Sequence, residues 1–196
     1  MAGDLVPIRR LEGVPEELSD EALIAACALG DRAALGALFD RHAADVRMFL
    51  LHYLSHAEDD VDDLVQVTFE IVQKRANRFQ GRSSTRTWLL GVARNVARRH
   101  VRTEFRRRRL SLRLLEEHSS SHADLEEHVF KRERLKDLRA AIRQLSPARR
   151  EAFVLVYVQG LSGVEAAKVL GVREGTLWKR LCEARKRVLE TLGDEE

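Results

Sequence analysis

The sequence has little of what breaks a chain or cross-links it. Its 196 residues include 3 prolines, 11 glycines and 2 cysteines. Strand-rich folds need β-branched runs and turn residues about every 8–12 positions, and the chain has almost no such pattern. Cys27 and Cys182 lie far apart, in no metal or redox spacing. These scarcities exclude a disulfide scaffold and favour a helical protein in a reducing compartment.

Long hydrophobic runs are missing as well. The longest, Ala152–Val158, is much shorter than the ~18 apolar residues that a membrane-spanning helix needs. The first residues include Asp4, Glu12 and Glu16 and no apolar segment, so no signal peptide is predicted. We therefore expect a cytoplasmic protein with no membrane insertion of its own.

Charge and helical periodicity are what the sequence does have. Charged residues make up 33% of the chain, against an average of about 25%, and apolar residues recur at helical spacing in segments that begin near residues 20, 32, 59, 84 and 131. We predict an all-α protein with two small helical domains, at 19–108 and 131–192. A loose arm at 1–18 precedes them, and an acidic flexible linker at 109–130 joins them.

The spacing within Leu161–Val188 predicts a helix-turn-helix. Ala167 is the small residue where two short helices touch, Gly171 tolerates a left-handed turn, and Leu177 locks the second helix into the core. Such a helix lies in the DNA major groove. The alternative is a helical hairpin with a basic, solvated face, and Trp178 can either stack on DNA or pack internally. The predicted outward and phosphate-facing residues are Arg173, Glu174, Thr176, Trp178, Lys179, Arg180, Arg185, Lys186 and Arg187.

Carboxylates crowd the start of the third helix, at positions 58, 59, 60, 62 and 63. Capping and the helix dipole favour some acids there, and this number also suggests a docking face for a basic partner. No His, Cys or glycine-rich phosphate loop accompanies them, so no catalytic residue, cofactor or metal is predicted. His118 and His122 have zinc-compatible spacing only if the linker is helical, and we interpret them as solvated.

The stretch Arg78–Arg102 combines a Ser/Gly loop, a tryptophan and a run of arginines. A basic groove with aromatic side chains is typical of single-stranded DNA binding, and Ser83 and Ser84 are placed to hold a flipped base. Trp88 is more easily explained as a core residue, whereas Phe79 is open between the two interpretations. The alternative for the arginines is a solvated helix face.

Four motifs, in the right order, resemble those of the extracytoplasmic-function (ECF) sigma factors. Asp60–Phe69 reads DVDDLVQVTF, similar to that family's DAEDLVQETF, and Arg78–Leu89 with Val92–Asn95 resembles RF.G.SS.RTWL..IARN. Leu145–Ser162 resembles LPPRQREVFLLRYVEGLS. Gly171–Thr176 and Ala184–Arg187 match the ends of the family's helix-turn-helix, so the resemblance covers roughly residues 20–192.

The resemblance implies a transcription initiation factor that binds bacterial core RNA polymerase, with an anti-sigma factor as a further partner. Region 2 (19–108) would dock on the β′ clamp helices and melt the −10 element, and region 4 (131–192) would bind the −35 element and the β flap. The implied polymerase-binding residues are Asp60, Asp62, Asp63, Leu64, Gln66 and Phe69. The implied −10 residues are Phe79, Gln80, Arg82, Ser83, Ser84, Arg94, Asn95, Arg98, Arg99 and Arg102, and the outward residues of the helix-turn-helix would read the −35 element.

The chain departs from the family pattern at a few positions. Val67 replaces a glutamate of the docking motif, Gly163 and Val164 replace Tyr-Glu, and Trp178-Lys179 replaces Lys-Ser in the reading helix. The change at Val67 removes one charge from the docking face, and Gly163 weakens the first helix of the motif by up to about 1 kcal/mol. The change at Trp178-Lys179 bears on the promoter sequence and not on the fold. Two other functions remain as alternatives: a stand-alone helix-turn-helix regulator, which needs a dimer interface, and a metal-dependent hydrolase, which needs a tightly bound metal.

Overall fold

A computed structural model describes residues 17–54, 59–114 and 131–193, with side-chain surroundings for all of these except 108–114 and 131–136. Within these ranges the chain is helical and contains no strand. Most of the predicted arm and linker, Glu58, and the histidine pair His118 and His122 lie outside the described residues.

Four helices form the first unit. They are α1 (Asp20–Ala28), α2 (Arg32–Tyr53), α3 (Val61–Arg75) and α4 (Thr85–Leu114), with a short 3₁₀ turn at Ala76–Arg78 after α3. Ser19 caps α1, and Asp31 caps α2 by accepting hydrogen bonds from the amides of Ala33 and Ala34. Such caps satisfy amides that have no partner within the helix. The predicted linker starts at residue 109, but α4 continues through Leu114, so residues 109–114 are helical.

The second unit contains α5 (Lys131–Gln144), α6 (Pro147–Phe153), α7 (Gly163–Leu170) and α8 (Glu174–Gly193). α6 continues as a π-helical turn at Val154–Val158. Proline stands at the start of α6, where its missing N–H costs nothing. No helix among the described residues is long and apolar enough to cross a membrane.

The two units pack against each other. Their buried apolar residues form one continuous cluster, in which Phe49 and Leu90 of the first unit and Ile142, Leu155 and Leu177 of the second are almost completely buried. The π-helical turn and α6 lie against α2, and α7 lies against α4. The separate domains predicted from the sequence are therefore in direct contact.

Candidate nucleic-acid interface

The helix-turn-helix has the geometry that its spacing predicts. Ser162 Oγ accepts a hydrogen bond from the Glu165 amide at 3.3 Å, and the Glu165 carboxylate accepts one from the Ser162 amide at 3.0 Å. The Ser162 hydroxyl also donates to Glu165 Oε2 at 2.7 Å. This bond, together with the one from the Ser162 amide, lowers the pKa of the Glu165 carboxyl, and burial opposes the shift. Gly171 ends α7 with a left-handed backbone at φ 64°, a conformation that costs glycine little. Leu177 is fully buried and fixes α8 against α7.

The outer face of α8 is open to solvent at its amino-terminal end. Arg173, Glu174, Thr176 and Lys179 are exposed, and Arg180 is half-buried. Arginine and lysine can donate to guanine, and a carboxylate can accept from cytosine. Further along α8, Arg185 is exposed and in no ion pair with a described residue. Lys186 is also exposed and lies 3.9 Å from Glu190.

Trp178 is partly packed inside the protein and partly open to solvent, so it fits neither internal packing nor full exposure to DNA completely. Its side chain is 50% exposed, and its ring lies over Gly163 at the start of α7. A Cβ atom at residue 163 would come 2.8 Å from Cζ2 of the ring. The two departures from the family pattern therefore meet in space, because the glycine leaves room for the indole.

A basic groove runs beside the loop that precedes α4. The loop turns at Gly81 (φ 65°), Phe79 packs on Trp88 with ring centroids 5.3 Å apart, and Trp88 is half-buried, so neither ring is completely solvent-facing. The groove encloses about 650 Å³. Its lining includes Arg75, Arg78, Arg82, Ser83, Trp88 and Asn95 from the first unit and Lys168 and Val169 from α7.

The predicted −10 residues do not share one environment. Gln80, Arg82, Ser84, Asn95, Arg98, Arg99 and Arg102 are exposed, and Phe79 and Ser83 are half-buried. Arg94 differs from all of them because it is buried and bonded to the second unit. Its Nε and Nη2 donate to Glu151 Oε2 at 3.0 and 2.9 Å. Its Nη1 donates to the carbonyl of Val169 at 3.3 Å.

The acidic start of α3 presents only part of the predicted docking set. Asp62, Asp63 and Gln66 are exposed, and Asp62 pairs with Arg47 at 2.8 Å. Asp60 is half-buried, 3.2 Å from His100. Leu64 and Phe69 are buried at 8% and 3% exposure, so the structure places these two in the core and not on the docking face. Phe69 contacts Phe39, with ring centroids 4.9 Å apart.

Tyr53 and Glu151 join the two units through Arg94, and only Arg94 of these three is predicted from the sequence, as a −10 residue. Besides bonding to Arg94, Glu151 accepts a hydrogen bond from the Tyr53 hydroxyl at 3.2 Å. Burial, reinforced by the Glu151 charge, raises the pKa of Tyr53 to about 12. The one available signal was Glu151 itself, a carboxylate next to the apolar run Ala152–Val158. Charged residues in such places are almost always paired.

Polar contacts extend the junction along α4 and α7. Gln159 accepts from Arg86 Nη2 at 3.1 Å and donates to the carbonyl of Asp45 at 3.1 Å. Thr87 donates to Glu165 at 3.2 Å. Lys168 Nζ donates to the carbonyl of Arg82 at 3.2 Å, within the predicted −10 loop.

Metal ligation has no support in the part of the chain that the structure describes. No group of three or more His, Cys, Asp or Glu side chains there is arranged to hold a metal ion. The carboxylates at the start of α3 instead face Arg47, His100 or solvent.

Comparisons with known proteins match the same two units. The family model "Sigma-70 region 2" matches residues 38–109, and "Sigma-70, region 4" matches residues 135–188. Neither describes a catalytic domain. The ECF RNA polymerase sigma factor SigC of Mycobacterium tuberculosis is 36% identical over 87% of this chain and 92% of its own length. SigM from the same species is 29% identical over 92% of this chain and 88% of its own length.

Two solved structures share the arrangement of helices. The sigma factor RpoE from Bartonella quintana, solved with the anti-sigma factor NepR, has a TM-score of 0.64 and 27% identity, covering 79% of this chain and 93% of that one. CnrH, solved with the cytosolic domain of CnrY, has a TM-score of 0.67 and 25% identity, covering 90% and 99%.

Proposed function

Because the chain belongs to the extracytoplasmic-function sigma factor family, we propose that its two units bind bacterial core RNA polymerase and recognise two separate promoter elements. The protein acts as a dissociable initiation subunit in the cytoplasm and has no catalytic activity of its own. One observation carries this proposal. The chain presents an exposed acidic helix face in one unit and an exposed helix-turn-helix face in the other.

The first unit, 19–108, is assigned polymerase docking and opening of the −10 element. The docking surface consists of the exposed side chains of α3, which are Asp62, Asp63 and Gln66, with Asp60 at its edge. It fits a basic partner such as the β′ clamp helices. Leu64 and Phe69 support this face from within. The basic groove beside Trp88 supplies the cations and the aromatic ring that a single DNA strand needs.

The second unit, 131–192, is assigned the −35 element and the β flap. Arg173, Glu174, Thr176 and Lys179 are exposed where a recognition helix meets base edges. Arg185 and Lys186 lie farther along the helix and suit phosphate contacts. One of the solved relatives is in complex with an anti-sigma factor, and the other is in complex with the cytosolic domain of CnrY. An anti-sigma factor is therefore proposed as a partner of this chain.

Gel filtration with bacterial core RNA polymerase tests the docking assignment. We expect the wild-type protein to co-elute with the polymerase and the variant Asp62→Ala/Asp63→Ala/Gln66→Ala to elute alone. The matched control is Asp40→Ala with Glu21→Ala, which removes two other exposed carboxylates of the same unit. This control should co-elute like the wild type. Equal co-elution of the triple variant and the control would contradict docking through α3.

A further inference from the structure

Near its amino-terminal end, α8 exposes a large apolar side chain, that of Trp178. We propose that this tryptophan determines promoter specificity by contacting the 5-methyl group of a thymine in the −35 duplex, and that Gly163 is the positioning residue that holds its ring. The proposal rests on the proposed function, because it takes the exposed face of α8 as the duplex-binding face. It adds the base that is read and the chemical group by which it is read.

The first observation is the place of Trp178 on α8. The helix begins at Glu174. Leu177, on one side of Trp178 in the chain, is completely buried, whereas Lys179, on the other side, is exposed. Trp178 therefore lies on the flank between the core and the outward face. Since the amino-terminal residues of a recognition helix contact base edges, a side chain at this position lies beside the bases.

The orientation of the ring is set by its contact with α7. A Cβ atom at residue 163 would lie 2.8 Å from Cζ2, 3.3 Å from Cε2 and 3.6 Å from Nε1 of the indole. The edge that carries the one N–H group of the ring is thus turned towards Gly163. The opposite edge of an indole consists of carbon atoms alone, so a ring held in this way offers mainly apolar surface to a ligand.

Small neighbours leave space beside the ring. Residues three and four positions apart are neighbours on a helix surface, and those of Trp178 outside the core are Glu174, Gly175 and Cys182. A Cβ atom at Gly175 would meet nothing within 4 Å, so there is free space between that position and the indole. A base edge can therefore approach the ring from this side without displacing another side chain.

The apolar surface of the indole favours thymine among the four bases. In the major groove the other three bases present hydrogen-bonding groups, whereas thymine also presents a methyl group. A carbon surface leaves a base donor or acceptor without a partner, which is unfavourable, but it gains free energy by covering a methyl group. The exposed cations on the same face, Arg173 and Lys179, are suited instead to guanine or phosphate.

The test removes the methyl group from the DNA. The probe is a duplex library with a randomised central segment, from which the full chain, assembled with bacterial core RNA polymerase, selects its preferred sequence. Uracil then replaces thymine at one position at a time in the selected duplex, which removes the methyl group and keeps the base pair. We expect one such replacement to weaken wild-type binding about fourfold, the factor that corresponds to burial of one methyl group. This part of the test needs no protein variant to fold.

Protein variants then assign that methyl group to the indole. In Trp178→Ala and Trp178→Lys, thymine and uracil at the sensitive position should bind equally well. A new selection with Trp178→Lys should favour guanine there, because lysine donates to guanine O6 and N7. Gly163→Ala displaces the ring and leaves residue 178 unchanged, so it should reduce the discrimination between thymine and uracil.

The matched control is Tyr157→Ala. Tyr157 is an aromatic residue of the second unit that is 52% exposed and packs on Phe153, with ring centroids 4.7 Å apart, but it lies outside α8. This control should keep the fourfold effect of uracil. If no uracil position weakens wild-type binding, or if Trp178→Ala discriminates as strongly as the wild type, the thymine contact is refuted while duplex recognition stands. If the assembled protein selects no duplex sequence beyond those selected by core polymerase alone, the −35 assignment and the thymine contact both fail.

Discussion

The contact between Gly163 and Trp178 predicts an energetic coupling that can be measured. Alanine in place of Gly163 would put its Cβ 2.8 Å from Cζ2 and 3.3 Å from Cε2 of the ring. Carbon atoms normally stay about 3.5–4.0 Å apart, so the ring must move. Since Trp178 is half exposed, the indole can swing outward without a backbone shift, and the cost is the loss of its packing on α7.

The size of the effect follows from two opposing contributions. Alanine is a better helix former than glycine by up to about 1 kcal/mol, with less gain in a first helical turn. In the wild-type background the displaced indole offsets this gain, so Gly163→Ala should be neutral or destabilising. In a Trp178→Ala background no ring stands in the way, and the same change should stabilise the protein. We expect a coupling energy of at least about 0.5 kcal/mol, as for other residues in contact.

Urea unfolding of the four proteins of this double-mutant cycle, followed by far-ultraviolet circular dichroism, measures the coupling. Gly175→Ala is the matched control. Gly175 lies in the first turn of α8, and a Cβ there would meet nothing within 4 Å, so its effect should be the same with or without Trp178. Equal effects of Gly163→Ala in both backgrounds would refute the argument that the Trp178 ring needs a glycine at position 163 in order to pack on α7.

Three further predictions concern DNA binding, thiol reactivity and titration. Arg185→Gln should weaken the binding of duplex DNA uniformly across sequences. It should also reduce the slope of the logarithm of the binding constant against the logarithm of the salt concentration by about 0.9, as expected for the loss of one phosphate contact. An unchanged slope would exclude that contact. Burial raises the pKa of Cys27 to about 11, so a disulfide reagent near neutral pH should modify Cys182 alone in the folded protein, and rapid modification of two thiols would contradict the packing of α1. In a Tyr157→Phe variant, phenolate absorbance should show Tyr53 titrating at about pH 12. Because the pKa of Tyr53 is raised in the folded protein, its contribution to stability is full below about pH 10 and is lost as the pH rises through 12. A titration midpoint near the ordinary value of about pH 10 would show that the Tyr53 side chain is not buried.

The helix-turn-helix could be predicted from the sequence because its determinants are local. Ser162, Glu165 and Gly171 act within one helix and its turn, so residues that are close in the sequence are also the ones in contact. The caps Ser19 and Asp31 are also local, because each accepts from an amide two or three residues away. Short-range hydrogen bonds and backbone conformations of this kind depend only on neighbouring residues, so the local sequence predicts them.

The end of α4 was harder to predict for a physical reason. Residues 109–114 belong to an arginine-rich stretch without a complete apolar stripe, so periodicity gives no signal there. Arginine and leucine are nonetheless good helix formers, and the helix that begins at Thr85 continues through them. The predicted start of the linker at residue 109 therefore lies within α4.

The docking set on α3 shows how motif and periodicity can disagree. Val61, Leu64, Val65, Thr68, Phe69 and Val72 form the inward stripe that helical spacing predicts, and all six are buried. A family motif includes such core residues together with the exposed ones, because the core residues hold the helix in place and the exposed residues form its outer surface. Leu64 and Phe69 were assigned to docking from the motif, and periodicity alone would have excluded them.

The contacts between the units lay beyond sequence reasoning because they join distant positions. Arg94 and Glu151 are 57 residues apart, and Tyr53 and Glu151 are 98 apart. No local pattern encodes such a pair, yet the composition of the junction is informative once it is seen. The junction buries a charged pair, a phenol and an amide beside the continuous apolar cluster. Since charged pairs add little net stability but strongly penalise the loss of one partner, they favour a junction that forms in one register and still separates when both partners can be solvated together.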